Sequence, residues 1–291
     1  MAKRLPQWLK TRLPSDRGAL KEVAGHLRRH GLNTVCTGAK CPNLAECWAC
    51  GTATIMLLGK ECTRNCGFCA VESTNHPARP DPAEPHAVAS AIAELGLRYA
   101  VLTSVTRDDL PDGGANHFAQ TVQAIRRQAP KVTVELLIPD LQGNREALST
   151  IRESGAHIVG HNLETIARLT SQCRDQRASY ERSLTVLRTL ADSEHGPGIK
   201  TALLLGLGET REEVEETLAE AYGVGTRHLA MGQYLAPTRN HCPVARYWTP
   251  EEFAELAAVA RSMGYESVAS GPLVRSSYRA DQFAGSTLKG K

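Results

Sequence analysis

Three cysteines stand within eight residues, Cys62, Cys66 and Cys69, in the run Cys-Thr-Arg-Asn-Cys-Gly-Phe-Cys. A structural zinc site wants four ligands, commonly as pairs of Cys-x-x-Cys. Iron–sulfur cubanes normally take one thiolate per iron. Three thiolates on a cubane leave one iron without a protein ligand, open to a small molecule. A second triplet lies upstream: Cys36, Cys41 and Cys47 in VCTGAKCPNLAEC. Cys50 adds a further Cys-x-x-Cys with Cys47, which could complete a four-cysteine cubane or a zinc site. Of nine cysteines, seven fall between residues 36 and 69, a crowding that fits metal binding and not a small disulfide scaffold. Cys173 and Cys242 belong to no cluster-like spacing and read as bystanders.

Elements that could position these loops alternate along the chain. Ala53–Leu58 is an apolar run of strand length ending at Gly59, just before the second cysteine loop. Strands are expected at 99–105, 132–138, 157–162, 199–205 and 228–235, giving six. Helices are expected at 86–95, 115–128, 144–153, 178–192, 210–222 and 250–263. Such strand–helix repetition means parallel strands covered by helices. A strand end that delivers a cofactor loop suits a barrel, whose active sites gather at the C-terminal ends of its strands. Prolines at 77, 80, 82 and 85 make 76–85 an irregular connection. A helix near 16–30 would be entered at Ser15-Asp16 and left at Gly31.

Hydrophobic content of 42% can build a sizeable core, and a net charge of +3 gives no global reason to bind nucleic acid. The first thirty residues are locally basic, which reads as a solvated face first and a docking surface for an acidic partner second. No apolar run of membrane-spanning length and no signal-peptide segment occurs, so no membrane contact and a cytoplasmic location are expected. The glutamates of 210–222 read as a solvated face.

Cys-x3-Cys-x2-Cys with Phe68 before its last cysteine resembles the signature of radical S-adenosylmethionine enzymes. The double triplet resembles the lipoyl synthase family in particular. The resemblance continues in order through TSVTRDDLPDGGA (103–115), HNLET (161–165), GLGET (206–210), QYLAPTRNHCPVARY (233–247) and RSSYRA (275–280).

That resemblance implies an α/β fold, a partial (β/α)6 TIM-type barrel open on one side. Residues 51–265 would form it, with an N-terminal extension (1–50) and a C-terminal tail (266–291) closing over an auxiliary cluster. It implies two [4Fe-4S] clusters and S-adenosylmethionine. Cys62, Cys66 and Cys69 would hold the first cluster, whose open iron chelates the amino and carboxylate groups of S-adenosylmethionine. Cys36, Cys41 and Cys47 would hold the second, with Ser277 as an unusual fourth ligand; Ser276 and Cys50 remain open for that place. Phe68, Thr103, Ser104, Asn162, Glu164 and Arg182 would contact S-adenosylmethionine, Arg182 pairing with its carboxylate. Arg64 and Asn65 would hydrogen-bond the cluster sulfurs or face solvent. Glycines 113 and 114 would bring backbone near a ligand or simply make a turn. His157 and His161 share a strand face without forming a metal pair.

The implied activity is insertion of two sulfurs, at C6 and C8 of an octanoyl chain on a lipoyl carrier lysine, with the auxiliary cluster as sulfur source. Implied partners are octanoylated lipoyl domains of 2-oxoacid dehydrogenase E2 components, the glycine-cleavage H protein, and a ferredoxin or flavodoxin electron donor. A biotin-synthase-like thiolation of a small molecule and a zinc-dependent binding module without catalysis are the rival readings.

Overall fold

The computed structural model describes residues 5–10, 25, 29–35, 43, 54–193 and 195–278. Cys36, Cys41, Cys47 and Cys50 lie outside the described residues, as does almost all of the helix expected over 16–30.

Eight strands form one sheet in chain order: β1 (Asn33–Thr34), β2 (Thr54–Leu57), β3 (Tyr99–Ser104), β4 (Thr133–Leu137), β5 (Ile158–Gly160), β6 (Gly198–Leu205), β7 (His228–Gln233) and β8 (Ser267–Gly271). Neighbours from β2 to β8 pair in parallel, while β1 runs antiparallel to β2. The inner strands of a parallel sheet are covered on both faces, so their sequences read as nearly unbroken apolar runs. Thr54–Leu57 and His228–Gln233 are buried at every position.

Seven helices return the chain between parallel strands: α1 (Glu84–Glu94), α2 (Ala115–Gln128), α3 (Arg145–Glu153), α4 (Ala167–Cys173), α5 (Tyr180–Ala191), α6 (Arg211–Gly223) and α7 (Pro250–Met263). In α2, Ala115, Phe118, Ala119, Val122 and Ile125 are buried at the three- and four-residue spacing of one helix face. Capping boxes start α6 (Thr210 with Glu213) and α7 (Thr249 with Glu252), each satisfying two otherwise orphaned backbone donors. Gly264, at φ 105°, ends α7 in the left-handed region that a Cβ would disfavour.

Six strand–helix units run from β2 to α7, as expected, but the sheet holds two more strands than the six expected. β8 extends it past residue 265. Its sequence, Ser-Val-Ala-Ser-Gly, has neither alternation nor a sustained apolar run, and all five residues are only half-buried. β1 is two residues long. Among the described residues neither edge strand pairs with the other, so the barrel they form is partial. No helix among the described residues is long and apolar enough to cross a membrane.

Candidate active site

The cysteine loop leaves β2 through a strained corner. Leu58 adopts φ 66° and Gly59 φ 93°, and the leucine conformation persists only because its surroundings fix it. The Leu58 N–H donates to Glu84 Oε2 (2.8 Å), and its carbonyl accepts from Arg107 Nη1 (3.2 Å). Arg107 is itself held by two bonds to Asp109 (2.8 and 2.7 Å). A Cβ on Gly114 would come within 2.3 Å of Leu58 Cδ1. Gly114 therefore makes room for this corner, and it does not line the cavity below.

The loop then folds on itself. The Cys62 N–H donates to Glu72 O (2.8 Å), Thr74 N–H to Cys62 O (2.9 Å) and Cys69 N–H to Cys66 O (3.0 Å). Gly67 is clasped from both sides: its N–H donates to Cys173 O (2.8 Å) and its carbonyl accepts from Cys242 N–H (2.7 Å). A Cβ there would meet Cys242 Sγ at 2.7 Å. Cys173 and Cys242, unassigned on spacing, are thus braces of the loop.

Backbone N–H groups point at the sulfurs. Cys62 Sγ accepts from Arg64 (3.4 Å) and Thr106 (3.3 Å), and Cys66 Sγ from Asp175 (3.4 Å). Such bonds stabilise thiolate and raise cluster potential. Burial acts the other way on the free thiols, pushing Cys66 up and Cys69 up to about 12. Loading metal must therefore expel protons, as for any thiolate site. Among the described residues no three His, Cys, Asp or Glu side chains are arranged to hold a single metal ion. Three thiols lining one cavity, backed by N–H donors, suit a larger group such as a cubane.

Arg64 contributes its backbone to Cys62, while its side chain lies underneath the loop. It bonds Asp108 twice (2.8 Å each) and Asp140 twice (2.9 and 2.8 Å). Asn65 N–H donates to Asp175 Oδ2 (2.9 Å) instead of to a sulfur. Burial raises the Asp140 carboxyl, but Arg64 outweighs it and holds Asp140 below the usual range. Arg64→Leu would take both close guanidinium bonds from an unexposed Asp140 side chain, leaving it the Gln142 N–H (3.0 Å) and Arg182 Nη1 at 3.6 Å. The expected cost is about 3–5 kcal/mol, read as a lower denaturant midpoint at neutral pH. Because the folded-state pKa of Asp140 is depressed, its contribution is present above the ordinary carboxylate range. It is lost as pH falls through the folded value, so the gap between parent and variant should narrow in acid.

The loop opens into a cavity of about 530 Å³, within the range of small-molecule sites. Cys62, Cys66, Phe68 and Cys69 line it from β2; Thr103 and Ser104 from the end of β3; Asn162 and Glu164 from beyond β5. Thr103 Oγ1 donates to Leu137 O (2.7 Å), whereas Ser104 Oγ is buried without a partner. Glu164 sits at φ 67° because β6 grips its backbone on both sides: Glu164 N–H to Ala202 O (3.0 Å) and Leu204 N–H to Glu164 O (2.8 Å). Burial raises the Glu164 carboxyl, opposed by Arg174 and by the Asn162 amide, which donates to Oε1 at 3.0 Å.

Arg182, expected here, is not on the cavity wall. Ser179 caps α5 and places Arg182 in its first turn, where Nη1 donates to Arg177 O and lies 3.6 Å from Asp140. Three arginines line the wall: Arg64, engaged by its two aspartates, Arg275 of the tail, and Arg174, just past α4, with Nη1 on Ser183 Oγ (2.8 Å) and a buried, unpartnered Nε. The position of Arg174 could be found only by recognising α4, a short helix whose N-cap, Ile166, has no side chain to accept a first-turn N–H. His161 is buried between Ile138 O and Ser183 Oγ (3.0 Å each), and burial lowers it to about 4. His157 Nδ1 accepts from Val134 N–H (3.1 Å).

The tail completes the wall. A Cβ on Gly232 would lie 1.9 Å from Val274 O, so only glycine lets the tail pass across β7. Gln233 N–H donates to Pro272 O (3.2 Å), and Asn43 Nδ2, two residues beyond Cys41, donates to Leu273 O. Ser276 and Ser277 both line the cavity.

The donor set fits a cluster and an amino-acid ligand: three thiols with N–H support, an orphaned hydroxyl and an orphaned guanidinium Nε within one cavity. Residues 56–221 match the family model of the Radical SAM superfamily. The chain is 48% identical over 280 residues to the lipoyl synthase of Halorhodospira halophila, covering 96% of this chain and 84% of that one. It is 50% identical over 279 residues to the lipoyl synthase of Thermus thermophilus, covering 95% and 85%. The crystal structure of methylornithine synthase superimposes with a TM-score of 0.54 at 14% identity over 88% of this chain and 79% of that one, a likeness of fold alone. On these grounds the chain belongs to the lipoyl synthase family of radical S-adenosylmethionine enzymes.

Proposed function

We propose that the protein converts an octanoyl chain, borne on a lysine of a lipoyl carrier domain, into a lipoyl group by inserting sulfur at C6 and C8. The observation that carries this reading is one cavity whose wall includes Cys62, Cys66, Cys69 and Ser277 together. When bound, the first cluster supplies the electron that cleaves S-adenosylmethionine to a 5′-deoxyadenosyl radical, and the second supplies the sulfur.

The chain's own residues bind, orient and shield. Arg174 takes the carboxylate of S-adenosylmethionine, the role expected of Arg182, since its buried Nε lacks a partner. Ser104, Asn162 and Glu164 meet the ligand's remaining polar groups, and Phe68 packs beside it. Met56, Val105, Leu137 and Leu204 give the cavity apolar walls that keep water from a radical and suit an alkyl chain. Cys36, Cys41, Cys47 and Ser277 hold the auxiliary cluster. The bond from Asn43 to the tail supports this, because Asn43 falls between Cys41 and Cys47 in sequence and sits against the segment that carries Ser277.

Octanoylated E2 lipoyl domains and the glycine-cleavage H protein are the substrates, with a ferredoxin or flavodoxin as electron donor. The cytoplasm is the setting, a reducing compartment suited to cysteines that stay unpaired, as Cys62, Cys66, Cys69, Cys173 and Cys242 are. The test is anaerobic incubation of reconstituted protein with an octanoylated lipoyl-domain peptide, S-adenosylmethionine and dithionite. Mass spectrometry should find two hydrogens of the octanoyl chain replaced by two sulfurs. An unchanged octanoyl peptide alongside abundant 5′-deoxyadenosine would sink the proposal.

A further inference from the structure

The two adjacent serines of the tail do not meet the same surroundings. Ser276 Oγ donates to Asn162 Oδ1 at 3.1 Å. With its oxygen occupied, the Asn162 amide turns its Nδ2 to Glu164 Oε1 at 3.0 Å. Glu164 is in turn under the electrostatic influence of Arg174. Ser276, Asn162 and Glu164 thus form a line of hydrogen-bonded groups on a cavity wall to which Arg174 also contributes. Ser276 and Asn162 are 114 residues apart in sequence, so the line exists only when the tail is seated. Seating in turn depends on the bare Cα of Gly232, against which Val274 passes.

We infer that Ser276 is a positioning residue: it fixes the Asn162 amide, and through it Glu164, so that the S-adenosylmethionine wall is complete only with the tail in place. This rests on the functional reading above and deepens it. An amide has no intrinsic preference between its two ends, and a carbonyl oxygen left without its donor can rotate away. Removing the Ser276 hydroxyl frees that rotation, and Glu164 loses the donor that opposes its desolvation. The neighbouring Ser277, which reaches the same cavity, remains available as an iron ligand. One dipeptide thereby ties radical generation to the segment that holds the sulfur donor. An enzyme whose tail is displaced would bind S-adenosylmethionine poorly and would not spend it without product.

The test compares Ser276→Ala and Ser276→Thr in anaerobically reconstituted holoenzyme. Iron content and equilibrium binding of S-adenosylmethionine are measured for each. Ser276→Ala should keep the parental iron complement and weaken S-adenosylmethionine binding about five- to tenfold, the worth of one hydrogen bond. The KM for S-adenosylmethionine should rise while kcat for 5′-deoxyadenosine changes less. Ser276→Thr, which keeps the hydroxyl, should restore most of the affinity. In an Asn162→Ala background the serine substitution should add nothing further, because its partner is gone. Iron loss in Ser276→Ala with unchanged affinity would make Ser276 a cluster ligand and overturn the inference, as would unchanged affinity with full iron. Failure of the parental holoenzyme to bind S-adenosylmethionine would instead overturn the functional reading itself.

Discussion

Cys66→Ala should abolish formation of 5′-deoxyadenosine while leaving the auxiliary cluster in place. Cys62, Cys66 and Cys69 are held on one loop by its own turns and by the clasp on Gly67. None of the described contacts of that loop makes one thiol a substitute for another. Cys66 Sγ accepts the Asp175 N–H, an interaction alanine cannot accept. With two thiolates the cubane loses one protein ligand, and the iron that should stay open becomes one of two unprotected corners. Iron per chain should fall from about eight to about four, and the brown colour should persist at reduced intensity. The complementary substitution, Cys41→Ala, should spare 5′-deoxyadenosine and eliminate thiolated product. A Cys66→Ala protein that still cleaved S-adenosylmethionine at the parental rate would show that the triplets have been given the wrong roles.

The strands and helices around that loop were largely legible, because their burial is periodic or continuous and their ends are chemically marked. The helices at 115–128 and 250–263 match their expected bounds residue for residue. Thr249-Pro250 and Gly264 frame the latter with a capping box, a first-turn proline and a left-handed glycine. Ser267–Gly271 was not legible as a strand, since it joins the sheet through backbone pairing to β7 while its small side chains carry no pattern. Likewise α4, seven residues long, is too short for periodicity to speak. That gap explains why Arg174 was not among the expected wall residues. The family resemblance offered Arg182, in the helix after the fourth expected strand, as the cation for the ligand. Whether a guanidinium reaches the cavity depends on where each helix begins, and α4 ends just in time to put Arg174 on the wall. Glu209 shows the same limit. Within GLGET it accepts the N–H groups of Gly206, Leu207 and Gly208 and the indole N–H of Trp248, a knot joining residues 39 apart in sequence. Nothing in one linear stretch displays such convergence.

Ser277→Cys should give an enzyme that generates radicals but fails to finish product. Gly232 seats the tail and Ser277 lines the same cavity as the three cysteines of the first cluster, so its oxygen is within the chamber where the sulfur donor must work. An alkoxide is a harder ligand than thiolate and a less natural partner for a sulfide-rich cluster. The iron that Ser277 is proposed to hold would be the one most readily given up to sulfur transfer. A thiolate at that position should assemble a cluster as full as the parental one and bind that iron more tightly. Formation of 5′-deoxyadenosine should stay close to the parental level, since the loop of Cys62, Cys66 and Cys69 is untouched, while lipoyl product falls to a small fraction. Cys50→Ser, run in parallel, should retain near-parental product if the tail serine fills the fourth place, as proposed. The measurement is lipoyl product and iron released per turnover for both variants, together with iron content of Ser277→Ala. Loss of auxiliary iron in Cys50→Ser with Ser277→Ala unaffected would assign the fourth ligand to Cys50. The auxiliary cluster would then be held by four thiolates, and its readiness to surrender iron would need another cause than an oxygen ligand.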